Sequence, residues 1–184
     1  MNESGSRGGR GMSDRGLEIL KRRAESLAQI DIEENAVETA GLLLFRLGEE
    51  WYAVHIGGVR EIFNDFAVTP IPRLPEHVLG VINIRGEIIS VIDIAALMHA
   101  STDGEHTGAD EPNGIVVRTD ACVSTLVVDE IGDIIEVPRS SFEPPLSTLD
   151  KSQAEFVSAS VYTDDLLVGV INLDKILEPI GDTV

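Results

Sequence analysis

Arg85 stands between Gly80-Val81-Ile82-Asn83-Ile84 and Gly86-Glu87-Ile88-Ile89, at a turn or strand end. A guanidinium there makes directed hydrogen bonds to carboxylates or carbonyls while its stem lies along apolar surface. Two uses fit that chemistry. One is contact with a partner protein, and the other is an internal ion pair with Glu87 or Asp93 that pins the turn. Both are non-covalent.

Covalent chemistry finds little support. His55, His77, His99 and His106 show no metal-ligand spacing with one another or with Cys122. No phosphate loop, nucleophile elbow or dinucleotide fingerprint occurs. Acidic side chains number 32, so any carboxylate pair is expected by coincidence alone. The residues read as non-catalytic, with no cofactor and no metal.

Charge narrows the partners. The chain of 184 residues has a formal net charge of -18, with 14 basic side chains, which opposes any broad grip on nucleic acid. From residue 41 onward the cations are Arg46, Arg60, Arg73, Arg85, Arg118, Arg139, Lys151 and Lys175, so an exposed arginine is conspicuous there. The run Ser6-Arg7-Gly8-Gly9-Arg10-Gly11 is too short and unrepeated to read as a nucleic-acid tail. No apolar run approaches the roughly 18 residues of a membrane span. Cys122 has no partner for an internal disulfide and reads as a small core residue. A cytoplasmic protein is expected.

The elements that must position Arg85 are written twice. Residues 42–98 recur loosely at 115–177. Leu42-Leu43-Leu44-Phe45-Arg46-Leu47, a polar turn and Trp51-Tyr52-Ala53-Val54-His55-Ile56 lead to Val59-Arg60-Glu61-Ile62. Ile115-Val116-Val117-Arg118 and Val123-Ser124-Thr125-Leu126-Val127-Val128 lead to Ile131-Gly132-Asp133-Ile134. The copies close on Ile88-Ile89-Ser90-Val91-Ile92-Asp93-Ile94 and Leu167-Val168-Gly169-Val170-Ile171-Asn172-Leu173. Where the first has Asn83-Ile84-Arg85-Gly86-Glu87, the second has Tyr162-Thr163-Asp164-Asp165. A repeated scaffold with one specialised turn reads as a binding surface.

The short Val-, Ile- and Leu-rich runs separated by Gly, Pro, Asn and Asp predict an all-β body. Pro70, Pro72 and Pro75 break the first copy, and Pro138, Pro144 and Pro145 the second, where prolines exclude central paired strands. Asp93 and Asn172 are placed as N-caps of short helices after the last strand of each copy. Four or five strands per copy close most simply as two small barrels. Each copy building its own barrel and the copies exchanging strands both remain open at this level. Residues 1–13 read as a disordered tail, 14–40 as a helical extension with Leu17, Leu20, Ala24 and Leu27 at helical spacing, and 99–113 as a surface loop.

Gly80-Val81-Ile82-Asn83-Ile84-Arg85-Gly86 followed by Val91-Ile92-Asp93-Ile94, together with Val59-x-Glu61-Ile62 and the proline arm, resembles the chemotaxis coupling protein family, CheW, over about Leu42 to Leu177. The resemblance implies two five-stranded SH3-like barrels around a shared apolar interface, within a CheW-like domain at 41–180. It implies an adaptor linking the cytoplasmic tips of methyl-accepting chemoreceptors to the regulatory domain of a CheA-type histidine kinase, alongside other coupling proteins in an array at the inner face of the membrane. It implies a receptor-facing surface of Val59, Glu61, Ile62, Gly80, Arg85 and Gly86, with Val59 and Ile62 partly exposed in a groove between barrels. Two positions depart from the family pattern, in which many members carry proline at Ser90 and a basic residue after the terminal Asp-Leu, here Asp93-Ile94-Ala95. A different class, a small-ligand-binding β-barrel, would require an enclosed cavity lined by convergent polar groups.

Overall fold

The computed structural model describes residues 38–99, 113–145, 151–163 and 165–181. The tail at 1–13, the helical stripe within 14–40 and nearly all of the loop at 99–113 lie outside the described residues.

The chain is mostly β. In order it forms β1 (Thr39–Leu47), β2 (Glu50–His55), β3 (Val59–Asn64), β4 (Val78–Ile84), β5 (Glu87–Asp93), β6 (Asn113–Arg118), β7 (Val123–Val128), β8 (Glu130–Pro138), β9 (Phe142–Glu143), β10 (Val157–Thr163) and β11 (Leu166–Ile171). Short helices cover Ile94–Met98, Lys151–Ala154 and Leu173–Gly181. Asp93 Oδ1 accepts the Ala96 amide at 2.9 Å, which satisfies one of the orphan donors that open the first helix.

The strands form a six-stranded sheet, β8-β1-β2-β11-β10-β9, and a five-stranded sheet, β3-β6-β7-β5-β4. The copies exchange their first hairpins. β1 and β2 sit between β8 and β11 of the second copy, while β6 and β7 sit between β3 and β5 of the first. The joints are the parallel pairs of β11 with β2 and of β5 with β7, whereas the other ladders are antiparallel.

This exchange explains the near-continuous apolar run of β1. Leu43, Phe45 and Leu47 on one face join a core shared by both sheets, with Ile92, Ile115, Val117 and Leu126 from the five-stranded sheet. Leu42 and Leu44 on the other face join a second core made by the six-stranded sheet alone. A strand covered on both faces loses its alternation. A third core, Ile82, Ile89, Val91 and Val116 with Phe63, Phe66 and Val68, lies against the free face of the five-stranded sheet.

Two closed five-stranded barrels do not appear. Neither hydrogen-bonded ladder closes on itself among the described residues, and the sheets hold six and five strands. The chain makes the corners instead. From edge strand β8 it passes through a single turn, Arg139–Ser141, into β9 at the opposite edge. After β3 it returns to β4 through the isolated Thr69 to Val81 bridge, with mutual amide-to-carbonyl bonds of 2.8 and 3.0 Å. Prolines 70, 72 and 75 follow that bridge outside any strand, which is why the ladder stops there. Cys122 precedes β7 in the turn from β6 and packs half-buried on the shared core.

Candidate functional site

β3 is an edge strand with a bulge between Val59 and Glu61. Val59 pairs with Val117 and Ile62 with Ile115, whereas Glu61 pairs with Val116 and Phe63 with Gly114. Cross-strand partners share a face. The extra residue, Arg60, therefore places Val59 and Ile62 on the face of the shared core, and Glu61 on the face of the third core. Val59 is half-buried against the shared core, while Ile62 runs past it and is 50% exposed.

Arg85 and Gly86 are the whole loop of the β4–β5 hairpin, since Ile84 pairs with Glu87. Both have positive φ, 52° and 90°. Such a two-residue loop matches the twist of its flanking strands. Gly86 supplies the conformation freely, and its amide donates to Asn83 Oδ1 at 2.8 Å. Asn83 thus fixes the turn that presents Arg85.

Gly80 serves the arm and not the surface. It is buried with φ of 144°, and a Cβ there would lie 2.2 Å from the Thr69 carbonyl oxygen. Only glycine lets the chain after β3 approach β4 closely enough for the Thr69 bridge.

The hairpin tip reaches β3 through two ion pairs. Arg85 Nη2 lies 3.0 Å from Glu61 Oε2, and Arg60 Nη2 lies 2.7 Å from Glu87 Oε2. The internal pair of Arg85 with Glu87 or Asp93 does not form: Glu87 is held by Arg60, and Asp93 caps a helix. The Arg85 side chain is 82% exposed and that of Glu61 only 21%. Hydrogen bonding to Glu87 raises the Arg60 pKa, and the same bond lowers that of Glu87. Neither Arg60 nor Glu87 belongs to the surface expected from the family resemblance. The alternating signs of Arg60-Glu61 and Arg85-Gly86-Glu87 carried the signal that these segments face one another.

The second copy repeats the strand but not the charges. Ile131 pairs with Phe45 and Ile134 with Leu43 around a matching bulge, which makes them the equivalents of Val59 and Ile62. Ile134 is 61% exposed. In the sequence, Gly132, Asp133 and Asp164-Asp165 stand where the first copy has Arg60, Glu61 and Arg85-Gly86.

The seam between β3 and β4 opens as a cleft of about 400 Å³ lined by Glu61, Phe63, Phe66, Ile82, Ile84 and Arg85 among others. Another open cleft of about 460 Å³ lies at Gly57, Arg118, Asp120 and Leu173. No group of three or more His, Cys, Asp or Glu arranged to hold a metal occurs among the described residues. No described helix is long and apolar enough to cross a membrane.

The departures have local answers. Ser90 sits opposite Ser124 across the parallel β5–β7 pair, and the two hydroxyls bond at 2.7 Å. Ile94 and Ala95 are buried and pack in the shared core.

Residues 41–180 match the model of the CheW-like domain. The chemotaxis protein CheW of Rhizobium meliloti is 29% identical over 139 residues, covering 73% of this chain and 85% of that protein. The chemotaxis protein CheW of Thermotoga maritima is 25% identical, covering 79% of this chain and 93% of that protein. The crystal structure of the scaffolding protein TtCheW from Thermoanaerobacter tengcongensis superposes with a TM-score of 0.69 at 31% identity, covering 80% of this chain and 98% of that one. With its exchanged repeats, its exposed arginine turn and this match over most of its length, the chain belongs to the CheW-like family and is a non-catalytic chemotaxis adaptor.

Proposed function

We propose that this adaptor couples the cytoplasmic tip of a methyl-accepting chemoreceptor to the regulatory domain of a CheA-type histidine kinase, within receptor arrays at the inner face of the membrane. Residues 41–180 form the coupling domain, and each curled sheet with its chain-made corner corresponds to an SH3-like barrel. The receptor helix lies along the edge of β3. Ile62 supplies an exposed aliphatic anchor, Val59 its half-buried support, and Arg85 with Glu61 a charged register point. Gly80 and Gly86 act through the backbone, the first by admitting the arm and the second by forming the turn.

The observation that carries this reading is the exposed Arg85, anchored to Glu61 at the tip of a two-residue turn, where the other copy has an aspartate in place of the arginine. A guanidinium has five donors, so an arginine held at one nitrogen keeps others for a partner. Arg85→Glu should weaken binding of a receptor cytoplasmic fragment by more than binding of the kinase regulatory domain, because it reverses the charge at an exposed register point without removing core volume. Titration of both fragments against the variant is the test. Equal loss for both partners, or unfolding seen by circular dichroism, would make Arg85 a structural residue.

A further inference from the structure

Arg85 lies in a protein whose net charge is -18, with Glu61 and Glu87 both within two residues of it or bonded to it. A carboxylate arriving at Arg85 would meet those two like charges, and Asp65 in the same cleft, before it met the rest of the acidic surface. Arg60 changes the local balance. Its guanidinium covers the Glu87 carboxylate at 2.7 Å, so Arg60, Glu61, Arg85 and Glu87 sum to zero and the local excess of negative charge falls to that of Asp65. The pair is half-exposed on both sides, 38% for Arg60 and 43% for Glu87, and so lies on the surface that a partner meets. Arg60 is also the bulged residue of β3, the extra residue that separates the face of Val59 and Ile62 from that of Glu61. In the second copy the equivalents, Gly132 and Leu166, can form no such pair.

We propose that Arg60 is a specificity-determining residue which, by neutralising Glu87, admits an acidic helical segment of the receptor to the free donors of Arg85. This rests on the receptor surface proposed above and adds the sign of the partner's charge. The segment presents a carboxylate to Arg85 and an adjacent aliphatic side chain to Ile62. Arg60 need not touch it, since removing the repulsion of Glu87 suffices.

The experiment titrates a receptor cytoplasmic-tip fragment against the full-length protein and its Arg60→Gln, Glu87→Gln, Arg60→Gln/Glu87→Gln and Arg85→Glu variants, at low and at moderate salt. Thermal midpoints confirm that each variant is folded. Arg60→Gln should weaken binding by about three- to fivefold at low salt, the scale of an exposed ion-pair interaction. Glu87→Gln should bind at least as tightly as the parent. The double variant should return to within about twofold of it, because both the repulsive charge and its neutraliser are gone. The losses should shrink as salt rises. An Arg60→Gln variant that binds normally, or a double variant as weak as Arg60→Gln alone, overturns the inference. Tighter binding by Arg60→Gln also overturns it and indicates a basic segment. If Arg85→Glu abolishes binding while Arg60→Gln is inert, only the role of Arg60 fails. If Arg85→Glu binds normally, the receptor surface itself is misplaced.

Discussion

Glu61 holds Arg85 through one oxygen only: Oε2 lies 3.0 Å from Nη2, while Oε1 is buried with no hydrogen-bond partner among the described residues. The carboxylate therefore depends on an arginine that is itself almost wholly in solvent. Removing Arg85 strands a half-buried charge, whereas removing both charges does not. Arg85→Ala should cost about 1–2 kcal/mol in urea unfolding, and Glu61→Gln/Arg85→Ala should recover at least half of that. A double variant no more stable than Arg85→Ala would show that the loss does not arise from the stranded Glu61 charge.

The faces of β3 separate two residues that the family resemblance groups together. Val59 packs on the shared core, so Val59→Asp should destabilise by about 2–3 kcal/mol, the scale for a poorly solvated polar group. Ile62 is half in water, so Ile62→Asp should cost under about 1 kcal/mol and still lose receptor binding. Chemical denaturation of both, followed by titration of Ile62→Asp, checks this. Equal stability costs would contradict the face assignment.

Gly80 and Gly86 both have positive φ but differ in their surroundings. A Cβ at Gly80 meets the Thr69 carbonyl, whereas one at Gly86 meets nothing within 4 Å. Gly86→Ala should lose about 1 kcal/mol, from backbone strain alone. Gly80→Ala should lose roughly 3 kcal/mol or more, because the Thr69 bridge must move. Thermal midpoints of the two variants should rank in that order.

Ser124 is fully buried and its hydroxyl lies 2.7 Å from that of Ser90. Ser90→Ala leaves that group without a partner and should cost about 1–2 kcal/mol; adding Ser124→Ala should restore part of it. A double-mutant cycle measures the coupling, and additive losses would mean the hydroxyls act independently.

The sequence by itself determined the repeat, the strands, the caps at Asp93 and Asn172 and the singular Arg85 turn. Those are local matters of apolar run length, turn-forming residues and side chains that hydrogen-bond their own backbone. It also gave the family, above all through Gly80 to Gly86 followed by Val91-Ile92-Asp93-Ile94, with Val59-x-Glu61-Ile62 and the proline arm beside it. Only the tertiary structure decided which hairpin joins which sheet, because β1 and β6 are both apolar enough to be covered on two faces and either pairing buries them. The partner of Arg85 was likewise decided there. Glu87 and Asp93 are nearer in sequence, but a two-residue turn points Arg85 across the open seam to β3, where Glu61 lies on the face of the third core and Arg60 on the bulge takes Glu87. A single inserted residue in β3 set those directions, and a bulge is a property of the ladder, which forms only when β3 meets β6.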